Sequence, residues 1–214
     1  MNFDIIITSW NRLDYLKRTI GSLIQSGAFD AAERVIIVDN GSTEEGVHSF
    51  LEDMRRERGT FLVLLPHNRG WGAAVNDALG LSRAPFLFVC NNDVEFELDF
   101  HLRMLEILDK PIILPAGHPG INGIGILGLW RHTSHGLVAG GVQNEWFCEM
   151  DNVPAVGWLM SKYAMEKVGM LPEHGICLTK GGNGEDTAYV NRMKEAGYLV
   201  GVPVKDLGVH IDGY

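Results

Sequence analysis

The sequence predicts an α/β fold, a single domain whose mostly parallel central sheet is flanked by helices. Three observations predict it. Apolar runs such as Ile5-Ile6-Ile7 are continuous rather than alternating, the pattern of strands buried on both faces. Through the first half of the chain these runs take turns with segments of helical periodicity. The length of 214 residues, 46% of them apolar, suits one sizeable core.

Residues 4–9 form the first strand. Asn11 can cap the helix that follows, with Asp14 in its first turn, and Leu13, Leu16, Ile20, Leu23 and Ile24 recur at helical spacing until Gly27 ends it. Residues 34–38 read as the second strand and 43–58 as a polar surface helix. Residues 61–65 are the third strand, 71–81 an alanine-rich helix, and 85–90 the fourth strand. The second half is less regular, because glycines thicken between Gly117 and Gly141 and the strand signals there weaken. Residues 155–160 read as a strand, 162–168 as a short helix, 185–196 as a clearer helix and 198–202 as a closing strand. No internal repeat or low-complexity linker interrupts the chain.

Composition narrows the function classes. Charged residues make up 21% of the chain, which argues against disorder. The formal net charge is −9 and no Lys/Arg cluster is present, so a nucleic-acid partner is not expected. An acidic protein that binds an anion needs a local positive device, such as a metal ion or a helix N-terminus. Cys90, Cys148 and Cys177 lie far apart without CxxC spacing and read as reduced thiols. No signal peptide is read at the start, and no apolar stretch approaches about 18 residues, so no membrane span is expected. The expected compartment is the cytoplasm, or a host's cytoplasm for a viral protein.

Five constellations carry chemistry. Val38-Asp39-Asn40-Gly41-Ser42 follows the second strand, where open α/β sheets bind ligands, and Asp39 can accept from a nucleobase or ribose. The same residues also suit an ordinary turn or cap. His67-Asn68-Arg69-Gly70-Trp71-Gly72 opens the third main helix, where glycines admit a ligand close to the backbone and Arg69 can reach base or phosphate. Cys90-Asn91-Asn92-Asp93-Val94-Glu95 follows the fourth strand. A divalent ion bridging two phosphates needs such a carboxylate, with Asp93 the candidate and Asn91 near the ribose. Gly181-Gly182-Asn183-Gly184-Glu185-Asp186 is a glycine-rich stretch leading into a carboxylate pair. The pair can supply a general base, and it equally suits the positive end of a helix. His210 can ligate a metal, although a lone histidine is more often structural.

Taken in order, strand–Thr8-Ser9-Trp10-Asn11-Arg12, strand–Val38-Asp39-Asn40-Gly41-Ser42, Asn68 to Asn76, strand–Asn91-Asn92-Asp93, Glu185-Asp186 and the late His210 resemble the family 2 glycosyltransferases of the GT-A fold, their rhamnosyltransferase-like members in particular. The resemblance spans nearly all of residues 4–212. It implies one GT-A domain, 1–214, with a nucleotide-binding half, 1–98, and an acceptor and catalytic half, 99–214. It implies that Asp39 binds the nucleobase, usually uracil, that Trp10 stacks near it with Thr8 alongside, and that Arg12, Asn68, Arg69, Asn91 and Asn92 line the donor. Asn91-Asn92-Asp93 takes the place of the DxD motif. Asp93 and His210 are then the ligands of Mn²⁺ or Mg²⁺, Gly157 lies in the strand beside the donor sugar, and Asp186 is the catalytic base. Trp158, Glu185 and Trp130 fall on the acceptor side. His132, His135 and Trp146 lie in the same region.

The implied reaction is a metal-dependent, inverting transfer from a UDP-hexose or a UDP- or dTDP-rhamnose to a hydroxyl of a polysaccharide, lipid-linked or protein glycan, including a viral capsid glycan. A retaining course is the stereochemical alternative. A non-catalytic nucleotide-sugar or glycan-binding module is the alternative of another class. A sugar-nucleotide pyrophosphorylase ranks lower, because the first strand runs into Thr8-Ser9-Trp10-Asn11-Arg12 rather than a glycine-rich GxGxRL loop.

Overall fold

A computed structural model describes residues 1–116, 118, 122–130, 136–173 and 184–211. In chain order the elements are β1 (Phe3–Ser9), α1 (Leu13–Gln25), α2 (Ala28–Ala31), β2 (Arg34–Asp39), α3 (Val47–Arg58), β3 (Phe61–Leu64), α4 (Trp71–Leu79), β4 (Phe86–Asn91), β5 (Val94–Phe96), α5 (Phe100–Asp109), β6 (Ile124–Gly128), β7 (Phe147–Glu149), β8 (Gly157–Ser161), α6 (Lys162–Val168), α7 (Glu185–Glu195), β9 (Leu199–Pro203) and β10 (Gly208–His210).

Eight strands form one sheet in the order β3-β2-β1-β4-β8-β6-β9-β7, and β10 pairs with β5 in a separate ribbon. The first four neighbours run parallel. At β4 the sheet changes character: β8 is antiparallel to both β4 and β6, β9 is parallel to β6, and β7 is antiparallel to β9. The parallel pattern expected from the sequence therefore holds for the first half, and the second half is mixed. Helices cover both faces, which is why the strands have no polar alternation. Ile5 and Ile7 enter one core with Leu16, Leu23 and Phe88, while Ile6 enters the other with Ile36, Val38 and Trp158.

Two element starts differ from the sequence reading for a physical reason. α1 begins at Leu13, after Asn11 and Arg12, both in the left-handed region with φ of 54° and 57°. Asn11 does not cap it. The amides of Arg12 and Leu13 are instead met by the carboxylate of Glu44, from the loop after β2. α3 begins at Val47 rather than at residue 43, because residues 43–44 are drawn to Asn11 and Gly46 turns the chain at φ 85°. Gly41 has φ 75°, and a Cβ there would lie 2.4 Å from the Cα of His67. Only glycine lets the loops after β2 and β3 approach so closely.

Candidate functional site

The carboxyl ends of β1, β2 and β4 meet at a cavity of about 170 Å³ lined by Thr8, Ser9, Trp10, Asn40, Asn68, Trp71, Asn91, Asn92 and Asp93. Parallel strands end at the same level, so residues far apart in sequence share one rim. Thr8 is paired with Asn91 across the β1–β4 ladder, and its hydroxyl lies 3.3 Å from Asn91 Oδ1 and 3.4 Å from the Cys90 carbonyl. Asn92 is buried and donates to the Asn11 carbonyl at 3.0 Å, which fixes the turn after β1. Trp10 is half exposed at the rim. Trp71 is T-shaped against Trp158 with ring centroids 5.2 Å apart, and its buried indole N–H has no acceptor among the described residues.

Asp93 is the focus of charge. Its Oδ2 is 3.2 Å from Arg12 Nη1 and 3.2 Å from His210 Nε2. His210 arrives there because β10 pairs with β5 and the Ile211 amide donates to the Asp93 carbonyl at 2.8 Å. The other oxygen, Oδ1, is buried without a hydrogen-bond partner among the described residues. A buried carboxylate oxygen left bare is costly unless something binds it. Among the described residues no group of three or more His, Cys, Asp and Glu could hold a metal ion. The bare, buried Oδ1 of Asp93 and the imidazole of His210 beside this carboxylate are oxygen and nitrogen donors of the kind a divalent cation takes. Behind them, burial and the neighbouring charge of Asp93 push the Cys90 thiol up, so it stays protonated and unreactive.

Asp39 is placed differently. It is fully buried: its Oδ1 accepts from the Ser42 hydroxyl, and its Oδ2 accepts from the Ser42 amide at 3.2 Å and meets His48 Nε2 at 2.9 Å. It is not among the lining residues of the cavity. Its neighbour Asn40 faces the loop after β3, donating to Asn68 Oδ1 at 3.1 Å and to the Gly70 carbonyl at 3.0 Å and accepting from the Arg69 amide at 2.9 Å. The Arg69 guanidinium turns away from the cavity to Asp77 at 2.7 Å and Glu173 at 3.7 Å.

The carboxylate pair at the start of α7 divides its work. Glu185 accepts from the Gly72 amide at 2.5 Å, so it caps α4 from another helix. Burial raises its pKa, opposed by the Gly72 and Trp71 amides, and the adjacent Asp186 raises it further. A Cβ on Gly72 would lie 2.1 Å from the Pro172 carbonyl oxygen and 2.4 Å from that carboxylate, so glycine is required for the contact. Asp186 is half-buried, with Oδ1 accepting from its neighbour's amide at 2.7 Å. The preceding residues 181–183 lie outside the described residues, as do His132, His135 and Cys177.

Three residues expected near the donor or acceptor belong to the packing. Trp158 is completely buried, donates to the Pro154 carbonyl at 2.8 Å and stacks on Tyr189. Gly157 is buried, and a Cβ there would lie 2.2 Å from Leu129 Cδ1. Trp130 is partly buried against the core that holds Leu129. Conversely, sequence reasoning passed over Glu44 and His48, and gave Trp71 no role of its own. Glu44 and His48 carry no local signal, because each acts on a group from another segment. Trp71 stood inside a motif already singled out and could have been found.

Residues 4–169 match the family model described as Glycosyl transferase family 2. No curated protein matches the chain. Among solved structures, the mannosyltransferase PcManGT from Pyrobaculum calidifontis, in complex with GDP-Man and Mn²⁺, superposes with a TM-score of 0.66 at 13% identity over 94% of this chain and 56% of its own. TarS 1-349 from S. aureus in complex with UDP-GlcNAc superposes with a TM-score of 0.67 at 16% identity over 100% of this chain and 61% of its own. At these identities the likeness is one of fold, and the chain spans less than two thirds of either structure. Among the described residues no helix is long and apolar enough to cross a membrane.

Proposed function

The chain belongs to glycosyl transferase family 2, and on that premise we propose that it moves a hexosyl or rhamnosyl unit from a nucleoside diphosphate to an acceptor hydroxyl, in polysaccharide or glycoprotein glycan synthesis. The observation that carries the reading is the meeting of Asp93 and His210, from two separate elements, with one carboxylate oxygen buried and bare at the rim of the cavity. Two structures of the same fold, in complex with GDP-Man and with UDP-GlcNAc, support a nucleotide-sugar donor.

Asp93 and His210 would hold Mn²⁺ or Mg²⁺, which when bound supplies positive charge to the leaving diphosphate. Thr8, Asn91 and Asn68 line the space for the nucleoside, and the half-exposed Trp10 offers a ring face to the base. Asp39 reads the base once His48, whose side chain is 61% exposed, swings off its Oδ2. Asp186 accepts the proton of the acceptor hydroxyl. The hydroxyl oxygen then bonds to the anomeric carbon from the face opposite the diphosphate, and the carbon–oxygen bond to the diphosphate breaks with its electron pair leaving on phosphate. The product is inverted at that carbon.

Calorimetry of the chain with UDP, with and without Mn²⁺, tests the donor site. Binding that needs the metal and is lost in Asp93→Ala supports it. Absence of binding by UDP, dTDP and GDP alike, with metal present, overturns it. Product anomeric configuration separates inversion from retention, and donor hydrolysis without acceptor separates an enzyme from a binding module.

A further inference from the structure

Arg12 is held in an uncommon way. It and Asn11 are consecutive non-glycine residues in the left-handed region, with φ of 57° and 54°. Such conformations persist only where the surroundings over-determine them, and they gather at ligand sites. Here the surroundings are dense. The Asn11 amide donates to Ser42 Oγ at 2.7 Å, its side-chain oxygen accepts from the Thr43 and Glu44 amides at 2.8 and 3.1 Å, and its carbonyl accepts from Asn92 at 3.0 Å. The Glu44 carboxylate returns the bond by accepting from the Arg12 and Leu13 amides. Loops from two strand ends thus clamp the backbone so that the guanidinium comes to 3.2 Å from Asp93 Oδ2.

We infer that Arg12 is the resident counter-charge of Asp93, and that a divalent cation arriving at Asp93 has to displace it. The inference rests on the proposed reading of Asp93 as a cation ligand. In the ligand-free chain Asp93 Oδ2 is shared by Arg12 and His210, and only Oδ1 is bare. A cation held by this carboxylate and His210 would carry its charge close to the guanidinium, and the two positive charges would repel at short range. The displaced guanidinium remains tethered beside the cation, where the oxygens of a diphosphate arrive, and its planar fork suits them. Glu44 is a positioning residue in this scheme, because it acts through the Arg12 backbone.

The test is Mn²⁺ binding without nucleotide, read by electron paramagnetic resonance of the free ion, for wild type, Arg12→Gly, Glu44→Gln and each combined with Asp93→Ala. Glycine accepts the left-handed backbone, so Arg12→Gly keeps the turn while removing the charge. The expected result is Mn²⁺ binding about fivefold tighter in Arg12→Gly, a gain that Asp93→Ala abolishes. Glu44→Gln should give a smaller gain in the same direction. Equal or weaker binding by Arg12→Gly, with wild-type binding still lost in Asp93→Ala, overturns the role of Arg12 and leaves the cation site standing. No Mn²⁺ binding by any variant overturns both.

Discussion

Two carboxylates stand at the ends of strands on the same rim, and their surroundings could hardly differ more. Asp39, at the end of β2, has both oxygens engaged by Ser42 and His48 and contributes no surface to the cavity. Asp93, just past β4, lines the cavity with one oxygen met by Arg12 and His210 and the other bare. A buried acid whose bonding is complete has to release a partner before it can take a ligand. A buried acid with a bare oxygen does not. The difference is invisible in sequence, where each is an Asp beside Asn at a strand end.

The largest effect is expected at the third carboxylate, which sets the scale for the other two. Asp186→Asn should lower the transfer rate by about 10²–10⁴-fold with donor binding retained, measured by single-turnover transfer. Survival of transfer would move the base elsewhere. Next comes the close approach that shapes the Asp39 loop. Gly41→Ala must place a Cβ against the His67 backbone at a positive φ and should cost about 2–4 kcal/mol in denaturant melts. The contrast itself is tested by the pair of alanine variants. Asp39→Ala should cost about 1–3 kcal/mol of stability, because the Ser42 amide and hydroxyl lose their acceptor, and should blur discrimination among UDP, dTDP and GDP. Asp93→Ala should cost under about 1 kcal/mol while abolishing metal-dependent nucleotide binding. Equal losses of stability in the two would erase the distinction.

The smallest effect concerns pH. The Glu185 pKa is raised in the folded chain above its ordinary 4.5, with burial the main cause. Its protonated form therefore favours folding: the contribution is complete below the ordinary value and is lost as pH rises through the raised one. Thermal melts of wild type should decline slightly across that window relative to Glu185→Gln, and parallel curves would show that its charge is fully compensated by the α4 amides.

The parallel half of the fold was legible because each strand is a short apolar run and each helix repeats at its own period. Lys162–Val168 was read to the residue. The second half hid β6, β7 and β10, which are short or glycine-bearing and owe their existence to partners distant in sequence. α5 also went unread, although its buried Phe100, Met104, Leu105 and Ile107 keep helical spacing. At the site, the cavity-lining residues Asn68, Asn91, Asn92 and Asp93 stood in motifs next to strand ends, while Thr8 and Trp10 came only from the family resemblance. The orientation of Arg69 toward Asp77 and the burial of Trp158 could not, since each depends on which neighbour wins a side chain in three dimensions.

Cys90 makes the core behind Asn91 a chemical clock. Its thiol is sealed in the core with Leu16, Ile20 and Phe100 and held protonated, so an alkylating reagent can reach it only when that core opens. The rate at which the label appears on that one sulfur, followed by mass spectrometry of the peptide that carries it, therefore times the opening of the parallel half of the sheet from the inside. Any ligand that grips the rim should slow the clock in proportion to how tightly it holds.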